Sequence, residues 1–268
     1  MLTLRTVAEL RAWRHSVEGS VGLVPTMGAF HAGHLSLIDA ARRDNDHVVV
    51  WLFVNPAQFN EQADLAAYPR DEADDARLAE EHGADVLLAP GVDEVYPPGF
   101  ATTVTVAGLG DTLEGAHRPG HFAGVATVVT KMLNIVGADR AYFGAKDAQQ
   151  VALVRRLVAD LNIPTEIVTL PIVREPDGLA LSSRNVHLSP AEREQATALS
   201  RALRQAAAGD RESAQDSVLT TLRDAGIEPE YVAVVDPETF APATNGRALI
   251  AVAARVGTTR LIDNVELP

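Results

Sequence analysis

His31 and His34 stand three residues apart in the segment P-T-M-G-A-F-H-A-G-H-L-S-L-I, with Gly33 between them. Two imidazoles at that spacing, placed where a helix begins, lie on one side of its first turn. A helix N-terminus presents unpaired N–H groups and a partial positive charge, so such a pair is well placed to hydrogen-bond a phosphate. Gly33 lets a planar ligand approach the backbone. Two surface histidines on a helix cap are the competing reading of the same residues.

Other groups along the chain suit the same chemistry. Lys146, in Gly144-Ala145-Lys146-Asp147, is a movable cation at a second helix N-terminus, where it can neutralise phosphate charge. Gln149 and Gln150 follow within a turn, and only one of them can face a crevice. Ser182, Ser183 and Arg184 bring two hydroxyls and a guanidinium into one loop, a set that binds a triphosphate or, more plainly, caps a helix. Asn55 and Gln58 follow a near-continuous apolar run, where amides can read hydroxyl or carboxylate groups; a simple Asn-Pro turn is the alternative. Asp74 and Asp75 are adjacent in a first helical turn, which suits the helix dipole in any case. The stretch 113–125 gathers Glu114, His117, Arg118 and His121 among glycines ahead of an apolar helix, as a ligand-facing segment or a surface loop does.

H-A-G-H resembles the H-x-G-H signature of the nucleotidylyltransferase and class I aminoacyl-tRNA synthetase superfamily. The whole segment from Pro25 to Ile38 resembles the pantothenate synthetase family, as do F-V-N-P-A-Q-F, L-E-G-A-H-R-P-G-H-F, Y-F-G-A-K-D-A-Q-Q and L-S-S-R-N, the last with Leu181 where the family has Met. The resemblance implies ATP-dependent condensation of (R)-pantoate with β-alanine to (R)-pantothenate, AMP and diphosphate through a pantoyl-adenylate. It implies catalytic roles for His31, His34, Lys146 and Arg184. It implies ATP contacts from Pro25, Thr26, Met27, Gly28, Gly33, Gly144, Asp147, Val173, Leu181, Ser182 and Ser183 as well. Asn55, Gln58, Tyr68, Arg118, His121 and Gln150 are implied to hold pantoate or β-alanine, and Asp74 and Asp75 to lie near a Mg²⁺ that accompanies ATP. A homodimer is implied too. A nucleotidylyltransferase that leaves the nucleotide on its product shares H-x-G-H but has no need of the amides at Gln58 and Gln150, and a non-catalytic nucleotide binder has no need of both Lys146 and Arg184.

These groups need a frame, and the pattern supplies one. A short apolar run at 21–24 reads as a buried strand, 25–28 breaks it, and Leu35, Leu37 and Ile38 open an amphipathic helix to about Arg43. Further strands are expected at 47–54, 85–89, 140–143 and 165–173, and an alternating edge strand at 102–107. The N-terminus reads as an amphipathic helix over 6–17 rather than a signal peptide, with Trp13 in the core. Beyond Ser189-Pro190 come two Ala-rich helices, over 190–208 and 211–225, and strands at 231–235, 248–255 and 259–265. The expected fold class is α/β: a Rossmann-like doubly wound parallel sheet in residues 1–173, and a smaller C-terminal α+β domain in 174–268 carrying the S-S-R-N loop and lid.

Composition narrows the partners. The 268 residues hold 36 acidic against 23 basic side chains, a net charge of −13, which repels nucleic acid and anionic membranes. Without cysteine there are no disulfides, thiolate chemistry or cysteine-bound zinc. No apolar run has membrane-spanning length. The reading is a soluble cytoplasmic protein whose partners are the small molecules ATP, pantoate and β-alanine.

Overall fold

The computed structural model describes residues 1–60 and 62–268. It divides into two compact units, Met1–Gly144 with Leu153–Leu170, and Ala145–Ala152 with Pro171–Pro268.

The first unit runs β1 (Leu2–Leu4), α1 (Val7–Ser16), β2 (Val21–Thr26), α2 (Ala32–Asp44), β3 (His47–Leu52), α3 (Gln62–Ala67), α4 (Glu72–Glu81), β4 (Val86–Leu88), α5 (Val92–Val95), α6 (Glu114–His117), α7 (His121–Val136), β5 (Arg140–Gly144), the later part of α8 (Ala148–Asp160) and β6 (Glu166–Leu170). The six strands form one parallel sheet in the order β1-β4-β3-β2-β5-β6. Strands buried on both faces need unbroken apolar sequence. Accordingly Val48, Val49, Val50 and Trp51 of β3 and Val86, Leu87 and Leu88 of β4 have no exposed surface. From β2 the chain lays β3 and β4 to one side and β5 and β6 to the other. Such a reversal is where open α/β sheets form a ligand crevice at the strand C-termini.

Pro25 widens that gap. The β2–β3 ladder runs from Val21 to Thr26, whereas β2 pairs with β5 only at Gly22 and Leu23. Val21 accepts the N–H of Asp139 on the β5 side, while Ser20 and Thr26 offer their carbonyls to His47 and Phe53 on the β3 side. By that alternation the missing N–H of Pro25 is one that would have faced β5, so the two strands part as they approach their C-terminal ends.

Three expectations need correction. Residues 2–4, for which no strand is expected, form the edge strand β1, paired with β4 through Leu2↔Val86 and Leu4↔Leu88. Residues 102–107 form no strand; the Val104 N–H is taken by Thr127 Oγ1 at 2.9 Å, so a side chain replaces the ladder their alternation suggested. Trp13 is only half-buried, edge-on to His47 with ring centroids 5.9 Å apart.

The second unit contains α9 (Pro190–Ala208), α10 (Arg211–Asp224) and an antiparallel sheet β7 (Pro229–Val235), β8 (Ala248–Val256), β9 (Thr259–Leu267), with β8 in the middle. Ser189 starts α9 through a capping box with Glu192, with Pro190 at the first helical position. Leu199, Leu203, Val218 and Leu222 of the helices pack with Ile250, Val252 and Leu261 of the sheet in one core. Among the described residues no helix is long and apolar enough to cross a membrane.

Candidate active site

β2 ends at Thr26, and the turn Met27-Gly28-Ala29-Phe30 delivers His31 to the N-cap of α2. The turn is tight, with Gly28 at φ +90° and Ala29 at φ +53°. His31 Nδ1 accepts the Gly33 N–H at 3.1 Å, and His34 Nδ1 accepts the His31 N–H at 3.4 Å. The two rings stack with centroids 4.1 Å apart. With each Nδ1 serving as an acceptor, a neutral ring carries its proton on Nε2, so the pair forms two N–H donors at a helix N-terminus. Gly33 has a further task. A Cβ there would meet His31 Cε1 at 2.9 Å and Nδ1 at 3.0 Å, so the glycine makes room for the His31 ring. Thr26 is buried and its hydroxyl donates to the Trp51 carbonyl, tying β2 to β3.

Asp75 holds the turn from below. Oδ2 accepts the Ala29 N–H at 2.9 Å and Oδ1 the Phe30 N–H at 2.7 Å, and the residue is 2% exposed. Burial pushes its carboxyl above the usual carboxylate range, and the two N–H bonds recover only part of that shift. Asp74, one residue earlier on α4, points elsewhere: its Oδ1 accepts from Arg77 Nε at 3.1 Å and it is half-exposed. The pair was expected beside a metal ion. Each Asp75 oxygen instead accepts a backbone N–H in a nearly solvent-free position, so its carboxylate serves the turn. Among the described residues no group of three His, Cys, Asp or Glu is arranged to hold a metal ion. A cavity of about 510 Å³ adjoins the turn, with Met27, Gly28, Phe53, Leu65, Arg70 and Asp75 in its wall.

Gln58 closes a short 3₁₀ turn, Pro56–Gln58, after β3. Its Nε2 donates to Met27 Sδ at 3.2 Å and its Oε1 accepts from Asn55 Nδ2 at 2.9 Å. Asn55 was expected to read substrate. It is instead fully buried, bonded to Gln58 and the Gly124 carbonyl through Nδ2 and to Tyr96 Oη at 2.8 Å through Oδ1, so it fixes the orientation of Gln58. Tyr96, missed in the sequence, has its phenol pushed up to about 12 by burial and so stays a donor. Gly124 of α7 was also missed: a Cβ there would lie 2.2 Å from the Ala57 carbonyl oxygen. His121 Nδ1 donates to the Gln58 carbonyl at 2.8 Å and its Nε2 accepts from Arg118 at 3.1 Å, while Arg118 approaches Glu114 at 3.8 Å. Glu114, Arg118 and His121 therefore form a chain that ends on the Gln58 backbone. Tyr68 is buried edge-on to Phe59, centroids 5.7 Å apart.

In the second unit, Lys146 lies in the 3₁₀ turn Ala145–Asp147 with its ammonium 3.4 Å from Asp147. Gln149 is buried and Gln150 half-buried at the start of α8, so Gln150 is the amide of that pair open to a ligand. Val173 accepts the Leu181 N–H at 3.0 Å across the hairpin closed by the Arg174↔Ala180 bridge. Ser182 does cap the next turn, Ser183–His187, accepting the Arg184 N–H at 3.3 Å. Asn185 Nδ2 reaches back to Glu175 Oε1 at 3.0 Å and the Ala180 carbonyl at 3.1 Å. Glu175 is gripped by Arg193, which holds its carboxyl below the usual carboxylate range. Sequence reading missed Glu175 and Arg193, although both flank the loop they anchor.

Comparison with known proteins places the chain among relatives of like length. The family model for pantoate-β-alanine ligase matches residues 2–266. The pantothenate synthetase of Roseiflexus castenholzii is 52% identical over 276 residues, covering 100% of this chain and 99% of the relative. A crystal structure of pantothenate synthetase from Thermus thermophilus superposes with a TM-score of 0.95 at 50% identity, covering 100% of both chains. A pantoate-β-alanine ligase from Francisella tularensis, solved in complex with beta-gamma ATP and β-alanine, does so with a TM-score of 0.85 at 36% identity, over 99% of this chain and 97% of that one.

Proposed function

The chain belongs to the pantoate-β-alanine ligase family, and from that membership we propose how its side chains carry the ATP-dependent joining of pantoate to β-alanine. A pantoate carboxylate oxygen attacks the α-phosphorus of ATP, and the bond from that phosphorus to the bridging oxygen breaks with departure of diphosphate. The β-alanine amine then attacks the acyl carbon of the pantoyl-adenylate, loses a proton, and AMP departs. Neither step needs a protein nucleophile; both need alignment and neutralisation of phosphate charge.

The observation that carries this reading is the reciprocal capping of His31 and His34, which commits both Nδ1 atoms to backbone N–H groups and leaves Nε2–H as the donor of each neutral ring. His34 and His31 serve as hydrogen-bond donors to the phosphates. Lys146 and Arg184 neutralise charge on the phosphates and the leaving diphosphate, with Ser182 and Ser183 as further donors. The amides of Gln58 and Gln150 hold pantoate, Gln58 supported by Asn55, Arg118 and His121. Magnesium comes on the phosphates of ATP, as hard cations with few protein ligands do; Asp74 is the carboxylate of the acidic pair that solvent reaches. The charge of −13 supports small-molecule partners over nucleic acid, and a cytoplasmic homodimer completes the proposal.

Positional isotope exchange tests it. With ATP labelled in the α-β bridge, scrambling of that label into nonbridging positions is expected when pantoate is present and β-alanine absent, and AMP accumulates only when all three substrates are supplied. Absence of pantoate-dependent scrambling with intact overall turnover argues against a reversibly formed adenylate.

A further inference from the structure

β9 breaks its own pattern at Asp263-Asn264. A strand between a core and solvent alternates buried and exposed residues, yet these two neighbours are both polar and both buried, at 3% and 6% exposure. Such groups are costly unless hydrogen-bonded, and among the described residues their side chains bond to segments that carry a proposed phosphate-binding side chain or to the pair itself. Asn264 Nδ2 donates one N–H to the Ala145 carbonyl and the other to the Lys146 carbonyl, each at 3.0 Å. Asp263 Oδ1 accepts the Asn264 N–H at 2.8 Å, and both its oxygens take Arg174, at 2.7 and 2.9 Å. Arg174 also donates to the Gly178 carbonyl at 3.2 Å, inside the hairpin that leads to Ser182.

We propose that Asn264 is a positioning residue for Lys146. Two peptide planes flank the Lys146 side chain, one formed by the Ala145 carbonyl and one by its own. Fixing both carbonyls on one amide fixes the backbone angles of Lys146 and therefore the direction in which its stem leaves the chain. A lysine ammonium on four rotatable bonds has a wide reach, and an anchored root narrows that reach toward one site. Asp263 orients the Asn264 peptide and holds the S-S-R-N hairpin through Arg174, so one pair on β9 sets the roots of two phosphate-binding segments. The inference rests on the role assigned to Lys146 above.

The test uses the intact enzyme with Asn264→Ala and Asn264→Ser, each alone and combined with Lys146→Ala. Asn264→Ala is expected to lower kcat by about tenfold or more, through misplacement of a charge that acts in the transition state, with the pantoate KM changed by less than about twofold. Asn264→Ser, which keeps one donor, is expected to fall between the wild type and Asn264→Ala. In the Lys146→Ala background the same substitutions should cost less than about twofold, because the group they position is already gone. An equal loss in both backgrounds overturns the positioning role, as does normal kcat in a folded Asn264→Ser or Asn264→Ala enzyme. Near-normal turnover of Lys146→Ala alone overturns the assigned role of Lys146, and the inference with it. If Asn264→Ala does not fold, the Asn264→Ser cycle decides by the same criteria.

Discussion

The backbone N–H of Phe30 donates to Asp75 Oδ1 at 2.7 Å, joining the peptide just ahead of His31 to a helix 45 residues further along the chain. Ala29, at φ +53°, donates to the other oxygen at 2.9 Å. A left-handed alanine is a strained residue, and strain persists only where the surroundings over-determine it. Asp75 supplies that constraint, and the result is a fixed start for α2 and a fixed His31 ring.

Asp75→Asn keeps the shape and replaces one acceptor oxygen with an NH₂ that faces a backbone N–H. Leaving a buried donor unpaired costs about 1–3 kcal/mol. Lower denaturant midpoints and a kcat reduced about tenfold are expected, with little change in the KM for β-alanine. Unaltered stability in urea unfolding would show that the carboxylate does not hold the turn.

Gly33→Ala separates geometry from folding. A Cβ would press on the His31 ring at 2.9 Å, while the helix itself gains a better helix former, so stability should change by no more than about 1 kcal/mol. Turnover should nevertheless drop by about tenfold, and His34→Ala, which removes a donor outright, should lower kcat by about 10². Steady-state kinetics beside thermal melts checks the pair; a Gly33→Ala enzyme of normal kcat refutes the tight seating of His31.

The alternation and apolar runs of β2, β3 and β4 carried their own signal, because strands buried on both faces leave no room for other residue types. β1 had none, since three residues are too few for a period and their pairing with β4 is a tertiary fact. The run at 102–107 had the period without a neighbour to pair with. Asp74 and Asp75 show the same limit at the site. Adjacent carboxylates on a helix diverge by about 100°, and the phase of a short helix, with Asp75 and Ala79 inward, is set by packing rather than by composition. Asn55 has the chemistry of a substrate reader, and only its zero exposure reveals a brace.

Gly124→Ala tests the seat of Gln58. The added methyl would lie 2.2 Å from the Ala57 oxygen and 2.8 Å from the Gln58 nitrogen, and backbone atoms in a buried turn cannot swing aside as a side-chain tip does. A loss of about 1–3 kcal/mol is expected, together with a pantoate KM raised more than the KM for ATP. Equal changes in both constants would mean that Gln58 does not discriminate between the substrates.

Arg193 connects the S-S-R-N loop to pH. Its guanidinium grips Glu175 at 2.5 Å and 3.1 Å, and Glu175 in turn accepts from Asn185 of the loop at 3.0 Å. The Arg193 bond is the main reason that the Glu175 carboxyl lies below its ordinary value, ahead of the opposing effect of burial. A carboxyl depressed in the folded state adds stability that is present above its unfolded pKa and is lost as pH falls through the folded one. Arg193→Gln should therefore cost about 1 kcal/mol at neutral pH, a figure held down by solvent reaching the arginine. The gap to wild type should narrow as pH falls below the ordinary glutamate range. Since the loop loses its anchor at the same time, the KM for ATP should rise at neutral pH while that for β-alanine stays unchanged. Urea unfolding of both proteins at neutral and acid pH reads the first effect; a stability gap that stays constant with pH would exclude the Arg193–Glu175 pair as its source.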